Sequence, residues 1–274
     1  DFYRCDWSPA VSSPVPCQHK IPKIPPIFCK IRRAFDPSTL PPPLSTGVCS
    51  TDKFIVTGAS SSIPTICGSN AKQHVYINSG TSLSPITLTI STTGTFATRG
   101  WSIRSSQICC GAVNAAPEGC LQYYTGASGT VTSFNYGAGN TGQHLASQSY
   151  SICFRKEQGF CGICYSMCDT TAANGDFSIQ GTAAGSMVDS GAAGNCASDF
   201  VRIPCGQTTT TFAATCAATK YCGNVLAAGI GTTTAAATIC SYVTPFMLGF
   251  FTNADEALDL YSSGFCLTYT QQPC

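Results

Sequence analysis

The sequence has few charged residues and no excess of either sign. Only 14 Lys and Arg and 13 Asp and Glu occur among 274 residues, which is 10%, where about 25% is usual. The formal net charge is +1, and the densest basic stretch is only residues 30–33. Nucleic-acid binding depends on clustered Lys and Arg that release counterions. We therefore exclude a nucleic-acid partner.

Long hydrophobic runs and glycosylation signals are also absent. The longest apolar stretch near the end, residues 245–251, is far shorter than the roughly 18 residues that a membrane-spanning helix needs, so we predict no membrane span. No Asn-x-Ser/Thr occurs, which excludes N-glycosylation. The chain opens at Asp1 without a basic and then apolar leader, so we expect a mature chain from which a signal peptide has been removed.

Cysteine, in contrast, is abundant. Nineteen cysteines are spread from Cys5 to Cys274, and this density in a chain long enough to bury a core indicates an oxidising, extracellular setting. A cytosolic metal protein would combine cysteine and histidine at finger spacing, whereas His19, His74 and His144 lie far from the cysteine pairs. Because nineteen is odd, we expect at least one thiol that is free or bonded to another chain.

Short β-type runs fill the chain from Lys53 onward. Residues 86–90 alternate Ile and Leu with Thr, a period of two that buries one face of a strand. Similar runs recur in the second half, and we find no amphipathic helix longer than about two turns. Ten of the 16 prolines lie between Pro9 and Pro43, which predicts extended connections there. The predicted fold class is all-β, with two sheets packed in a sandwich.

An internal repeat predicts two domains. Cys49-Ser-Thr-Asp-Lys-Phe-Ile-Val is answered by Cys196-Ala-Ser-Asp-Phe-Val-Arg-Ile, and each is followed by a Cys-Gly pair. The halves also end alike, with Gly100-Trp-Ser-Ile and Gly264-Phe-Cys-Leu at the same spacing from a final cysteine. We therefore predict related domains over residues 1–110 and 111–274.

The repeated pattern resembles a CUB domain. It consists of Cys-x-x-Asp with a short apolar strand, then Cys-Gly, then an apolar strand with Pro-Phe and an acidic turn, then Gly-Phe-x-Leu-x-Tyr. The second half matches better, and residues 120–136 are similar to the CUB-like domain of secreted arthropod proteins. The resemblance implies two antiparallel, jelly-roll-like, disulfide-rich β-sandwiches, the first with a shortened, proline-rich start.

The resemblance also implies a set of disulfides. Two pairs, Cys49–Cys67 and Cys196–Cys222, occupy equivalent places in the two halves. Two further pairs, Cys153–Cys161 and Cys17–Cys29, are local bridges. The partner of Cys110 is open between Cys120 and Cys274.

Two motifs have sharper alternative interpretations. Cys161-Gly-Ile-Cys164, followed by Cys168, has the spacing of a redox pair or of part of a zinc site. It lies in a strand-like run of a disulfide-rich chain, which favours structural disulfides. Residues 137–142 match Gly-x-Gly-x-x-Gly, but no helix pattern follows, so we interpret them as a glycine-rich hairpin tip and not as a dinucleotide site.

Calcium is the cofactor that the resemblance implies. Many CUB domains bind it through a glutamate, the aspartate of the Cys-x-x-Asp strand and an acidic residue of the last loop. In the second half Asp199 matches the strand aspartate and Asp255 the loop residue, but Gln180 stands near the expected glutamate. In the first half Asp52 is present, while residues 91–98 hold no carboxylate. Since a hard cation takes about six to eight oxygens, only the second half is a candidate, the alternative being aspartates that bond loop backbone.

The chemistry of the chain predicts association and not catalysis. Gly-x-Ser-x-Gly is absent and the 13 acids are thinly spread, so we predict that the protein is not an enzyme. We expect a secreted protein that associates with other proteins or with itself, as a homo-oligomer with or without disulfide links, in a structural, matrix or adhesive role. One alternative is a carrier that holds a small apolar ligand, a lipid or pigment, between sheets or at an interface. Another is a calcium-assisted recognition module that uses Asp199 and Asp255.

Overall fold

The structure, a computed structural model, consists of β-strands and their connections. It describes residues 2–3, 17–21, 28–80, 85–93, 96, 99–138, 141–169, 176–179, 186–188, 196–208, 216, 218–228, 235–257 and 262–274. These residues contain no α-helix, which confirms the predicted all-β class. No helix among them is long and apolar enough to cross a membrane.

Two compact units divide the chain. Unit 1 consists of Asp1–Leu44 with Val48–Tyr123, and unit 2 of Ser45–Gly47 with Tyr124–Cys274. Unit 1 therefore extends past residue 110, where the repeat predicts its end.

The described residues of unit 1 form two antiparallel sheets. The strands are β1 (Phe2–Tyr3), β2 (Cys17–Ile21), β3 (Phe28–Thr39), β4 (Lys53–Thr57), β5 (His74–Asn78), β6 (Ile86–Ser91) and β7 (Gly100–Cys109), in the orders β1-β7-β3-β5 and β2-β6-β4. Ile86, Leu88 and Ile90 of β6 are buried, as their alternation predicts. The rings of Phe35 and Phe54, one from each sheet, meet edge to face with centroids 5.4 Å apart. The core of unit 1 therefore lies between the sheets.

β3 lies in the proline-rich segment. It is a strand of 12 residues, where the prolines predict connections. Pro37 falls where the pairing of β3 with β7 shifts register, between Phe35 and Ser38. A residue without an N–H donor loses no ladder hydrogen bond at such a shift, so the strand continues past it.

β5 is an edge strand that is nevertheless buried. Within the described residues it pairs only with β3, yet all five of its residues are buried. The backbone N–H of Ser60 donates to the carbonyl of Asn78 over 3.1 Å, and the Tyr76 hydroxyl donates to the carbonyl of Asn114 over 3.2 Å. Neighbouring connections of unit 1 therefore cover this edge.

The described residues of unit 2 form a second pair of sheets, and β8 (Cys120–Tyr124) spans the division between the units. The other strands are β9 (Ser128–Thr132), β10 (Ser149–Phe154), β11 (Phe160–Met167), β12 (Phe177–Ser178), β13 (Ser186–Val188), β14 (Phe200–Gly206), β15 (Ala218–Gly223), β16 (Ile239–Ser241), β17 (Met247–Phe251) and β18 (Gly264–Pro273). The sheet orders are β13-β15-β14-β17-β10-β8 and β12-β18-β11-β16, with β9 also paired to β18. Aromatic rings join the sheets, because Phe250 meets Phe265 at 5.2 Å and Phe154 meets Tyr269 at 4.6 Å between centroids. Unit 2 is therefore a β-sandwich.

Disulfides tie these strands together. The disulfides among the described residues include Cys49–Cys67, Cys161–Cys274, Cys164–Cys240, Cys168–Cys266, Cys196–Cys222 and Cys205–Cys216. The first and the fifth are the equivalent pairs that the resemblance implies. The predicted pair Cys17–Cys29 lies outside the side chains that the structure describes.

The predicted bridge between Cys153 and Cys161 is wrong. Cys161 is bonded to Cys274, because β11 pairs with β18 and Phe160 lies opposite Pro273. Cys153 is bonded elsewhere, and the same pairing removes Cys274 as a partner for Cys110.

The Cys161-x-x-Cys164 motif is not a redox pair. Residues three apart in a strand project to opposite faces, and Cys164 is accordingly bonded to Cys240 of the neighbouring strand β16. The interpretation as structural disulfides is therefore correct.

A buried ion pair lies at the start of β4. The Asp52 side chain is 0% exposed and the Arg99 side chain 2% exposed. The guanidinium donates to both carboxylate oxygens, over 3.0 Å from Nη2 to Oδ1, and Nη2 also donates to the Thr93 carbonyl over 3.2 Å. The Thr93 N–H donates to Asp52 Oδ1 over 2.9 Å. This set of bonds satisfies a carboxylate that has no access to water.

We expect Arg99→Met to destabilise unit 1 by about 3–5 kcal/mol, because it leaves a buried carboxylate without its counter-charge. Guanidinium unfolding followed by tryptophan fluorescence measures this, since Trp7 and Trp101 both belong to unit 1. The double variant Asp52→Asn, Arg99→Met should recover part of the loss, because the buried charge is gone.

Arg104→Met is the matched control for this prediction. Arg104 pairs with Asp36 at 3.4 Å, but their side chains are 53% and 45% exposed, so the change should cost at most about 1 kcal/mol. Equal losses of stability for Arg99→Met and Arg104→Met would contradict the prediction that the buried ion pair matters more than the exposed one.

Candidate functional site

The aspartates of the internal repeat occupy equivalent positions in the two units. Asp52 directly precedes β4 and Asp199 directly precedes β14, and both are fully buried. Each accepts a backbone N–H from the loop that follows the paired strand. Thr93 N lies 2.9 Å from Asp52 Oδ1, two residues past β6, and Asn253 N lies 2.5 Å from Asp199 Oδ1, two residues past β17. The repeat in the sequence is therefore a repeat of local structure.

A disulfide begins three residues before each aspartate, Cys49–Cys67 in unit 1 and Cys196–Cys222 in unit 2. Cys67 follows Ile66, which exchanges backbone hydrogen bonds with Phe54, and Cys222 follows Tyr221, which lies opposite Val201. The glycine after each second cysteine has a positive φ, +77° at Gly68 and +90° at Gly223. A glycine is favoured there because other residues rarely adopt that conformation.

The two aspartates differ in their next neighbours. Asp52 is neutralised within unit 1 by Arg99. Asp199 instead adjoins the loop with the second predicted ligand, Asp255, whose N–H donates to Asn253 Oδ1 over 2.7 Å. Asp255 is exposed, and its Oδ1 accepts the Ala257 N–H over 3.0 Å. Asp199 and Asp255 thus each accept a backbone N–H from a loop residue.

The calcium ligands do not gather into a compact set within the part of the chain that the structure describes. Asp199 and Asp255 belong to no group of three or more ligand atoms lying within 4.8 Å of one another. Gln180, near which the third ligand is expected, lies outside the described residues. The calcium site with Asp199 and Asp255 as ligands therefore stays a prediction.

One other cluster has the composition of a metal site. Cys168, Asp176 and Cys266 bring ligand atoms within 4.8 Å of one another. The two cysteines, however, form a disulfide and supply no thiolate. Asp176 instead accepts the Tyr136 hydroxyl, and this hydrogen bond adds to burial in raising the pKa of Tyr136. The cluster is structural.

A buried His-Glu pair was missed by the sequence analysis. The side chains of His144 and Glu256 are both 0% exposed, with His144 Nε2 3.6 Å from Glu256 Oε2. Glu256 directly follows Asp255, and its N–H donates to the Thr46 carbonyl over 3.1 Å. Of the two neighbouring acids in this loop, the second is thus the one turned into unit 2, and no local sequence signal distinguishes them. Burial lowers the pKa of His144 to about 4.

We expect this histidine to make unit 2 sensitive to acid. The pKa of His144 lies below its ordinary value of 6.5, so the unfolded chain takes up the proton first as the pH falls. The contribution of His144 is therefore complete above pH 6.5 and decreases by up to about 1.4 kcal/mol per pH unit between pH 6.5 and about 4.

Urea unfolding at several pH values, for the wild type and His144→Gln, measures this contribution. Between pH 6.5 and 4 the free energy of unfolding of the variant should fall less steeply with decreasing pH than that of the wild type. An NMR titration in which the His144 imidazole protonates near its ordinary pKa would contradict the prediction.

Comparison with known proteins identifies one matching family and two solved structures. Residues 117–272 match the model of the animal CUB domain family. Two solved structures are similar over most of the chain. The CUB1-EGF-CUB2 domains of rat MASP-1 are 13% identical, covering 93% of this chain and 97% of that chain, with a TM-score of 0.31. The CUB1-EGF-CUB2 domain of human MASP-1/3 is 13% identical, covering 95% of this chain and 93% of that chain, with a TM-score of 0.29.

No curated protein shows a significant match to the sequence. The family match, in contrast, covers more than half of the chain and includes β9 to β17 completely. The chain belongs to the animal CUB domain family.

Proposed function

We propose that the protein is a secreted, non-enzymatic extracellular protein that mediates protein association in a structural, matrix or adhesive role. The observation that carries the proposal is the family match over residues 117–272, because CUB domains generally mediate protein–protein interactions in extracellular proteins. The family is also typically non-enzymatic. Residues 120–136 resemble the CUB-like domain of secreted arthropod proteins, and the proposal includes that the protein belongs to this group.

Two properties of the chain support this proposal. The six disulfides named above suit an oxidising compartment. The formal net charge of +1, with only 10% charged residues, gives little of the repulsion that keeps proteins apart.

The proposal includes a covalent link between copies of the chain. Cys109, at the end of β7, is an exposed free thiol, whereas its neighbour Cys110 is disulfide-bonded. An exposed thiol in an oxidising compartment forms a disulfide with whatever thiol it meets, and a second copy presents the same group.

We expect native mass spectrometry of the unreduced protein to show a dimer that reduction separates. Cys109→Ser should abolish the covalent dimer, while Ser106→Ala, at an exposed position of the same strand, should keep it. A wild-type monomer without intermolecular disulfides would contradict the covalent link. A monomer with an added mass of about a few hundred daltons would favour the apolar-ligand carrier.

We expect association to persist when divalent cations are removed. The described residues gather no compact calcium-ligand set around Asp199 and Asp255, so EDTA should leave the bound fraction in a sedimentation or pull-down assay unchanged. Two results together would establish the calcium-assisted module in place of this proposal. Binding would be lost in EDTA and restored by added calcium, and the Asp255→Asn variant would not bind even with calcium present.

A further inference from the structure

The outer face of the six-stranded sheet of unit 2 combines aromatic and basic side chains. Val201 and Ile203 of β14 are fully buried, so Phe200 and Arg202 project from the opposite face. None of the six strands of this sheet contains Asp or Glu. The whole chain has nearly equal numbers of acidic and basic residues, but the strands of this sheet carry only basic ones.

Two phenylalanines form the apolar part of this face. Phe200 and Phe251 lie directly opposite each other on β14 and β17. Their rings stack with centroids 4.9 Å apart and planes at 27°, and both residues are only half-buried. Lys220 Nζ lies 4.7 Å from the centroid of the Phe200 ring, within the range of a cation–π contact.

Gly249 gives the Phe251 ring its position. A Cβ at Gly249 would lie 2.7 Å from a ring carbon of Phe251, so the ring lies back over the strand in the space that a side chain would fill. Ser149 and Ser151, opposite Phe251 and Gly249 on β10, are small. The rings therefore lie low on the sheet and are open to a partner on one side.

Arg202 is the charged part of this face. It is exposed, and it lies directly opposite Lys220 on one side and Gly249 on the other. Like charges directly opposite in a sheet cost stability. Arg155 pairs with Glu157 and Arg104 with Asp36, whereas no side chain in the described residues forms an ion pair with Arg202.

We propose that this surface, formed by Phe200, Arg202, Lys220, Gly249 and Phe251, binds an acidic segment of a partner protein. A carboxylate of that segment meets Arg202, whose planar guanidinium suits bidentate contact, and an adjoining apolar side chain lies on the two rings. Arginine and aromatic residues, phenylalanine included, are enriched at the cores of protein interfaces. The inference rests on the proposed function and specifies the partner's chemistry.

The test uses the full chain and an immobilised synthetic peptide of alternating Glu and Leu, with a Gln–Leu peptide as its neutral counterpart. We expect the wild type to bind the acidic peptide and not the neutral one. Arg202→Gln should weaken binding at least about tenfold. Arg104→Gln removes the same charge from an exposed site on unit 1 and should leave binding within about twofold of the wild type.

A second variant tests the rings without removing them. Gly249→Val places a side chain where the Phe251 ring now lies, so acidic-peptide binding should weaken while Arg202 is intact. Circular dichroism and the number of disulfides by mass spectrometry verify that each variant is folded.

Three results would overturn the inference. They are no binding of the acidic peptide, equal effects of Arg202→Gln and Arg104→Gln, and binding of heparin without binding of the peptide, which would identify a sulfated glycan as the ligand. If the acidic peptide does not bind and the wild type still associates by native mass spectrometry, the surface is wrong and the proposed function stands. If the wild type does not associate with itself or with another protein, the proposed function is wrong, and the inference that rests on it is wrong too.

Discussion

The antiparallel pairing of β11 with β18 holds the smaller sheet of unit 2 together. β9 and β12 attach to β18, and β16 attaches to β11, so every strand of that sheet depends on this pair. Disulfides fix both ends of the pairing, Cys161–Cys274 at one end and Cys168–Cys266 at the other. A slip of one residue would turn every buried side chain of β18 to the wrong face. The two bridges set the register that places Phe265 and Tyr269 in the core.

The two units use one local device in different ways. In each, a buried aspartate at the entrance to a strand accepts an N–H from the loop after the neighbouring strand. In unit 1 an internal guanidinium completes the arrangement, which makes it a structural anchor. In unit 2 the same position lies next to an acidic loop that exposes Asp255 and buries Glu256. The shared backbone geometry therefore does not imply a shared function.

Local pattern and resemblance predicted part of this structure. The alternation in β6 predicted its buried face, and the resemblance implied the bridges Cys49–Cys67 and Cys196–Cys222. The partner of Cys161 could not be read from the sequence, because it depends on the register of strands 113 residues apart.

The same limit applies to the charged groups. Arg99 lies 47 residues from Asp52, and nothing near it in the sequence marks it as a buried counter-charge. Arg202, Lys220 and Phe251 become one surface only once β14, β15 and β17 are known to be neighbours. Local patterns specify which face of a strand is buried, and long-range pairing decides which exposed residues meet.

The buried edge of unit 1 limits how molecules of this protein can join. An uncovered edge strand offers a row of N–H and C=O groups to another chain, the route to domain swapping and fibril growth. β5 has every residue buried and the Asn78 carbonyl already bonded to Ser60. A strand from a second molecule would therefore have to displace the covering segment at Ser60 before it could pair along all of β5, which disfavours polymerisation of this weakly charged chain at that edge.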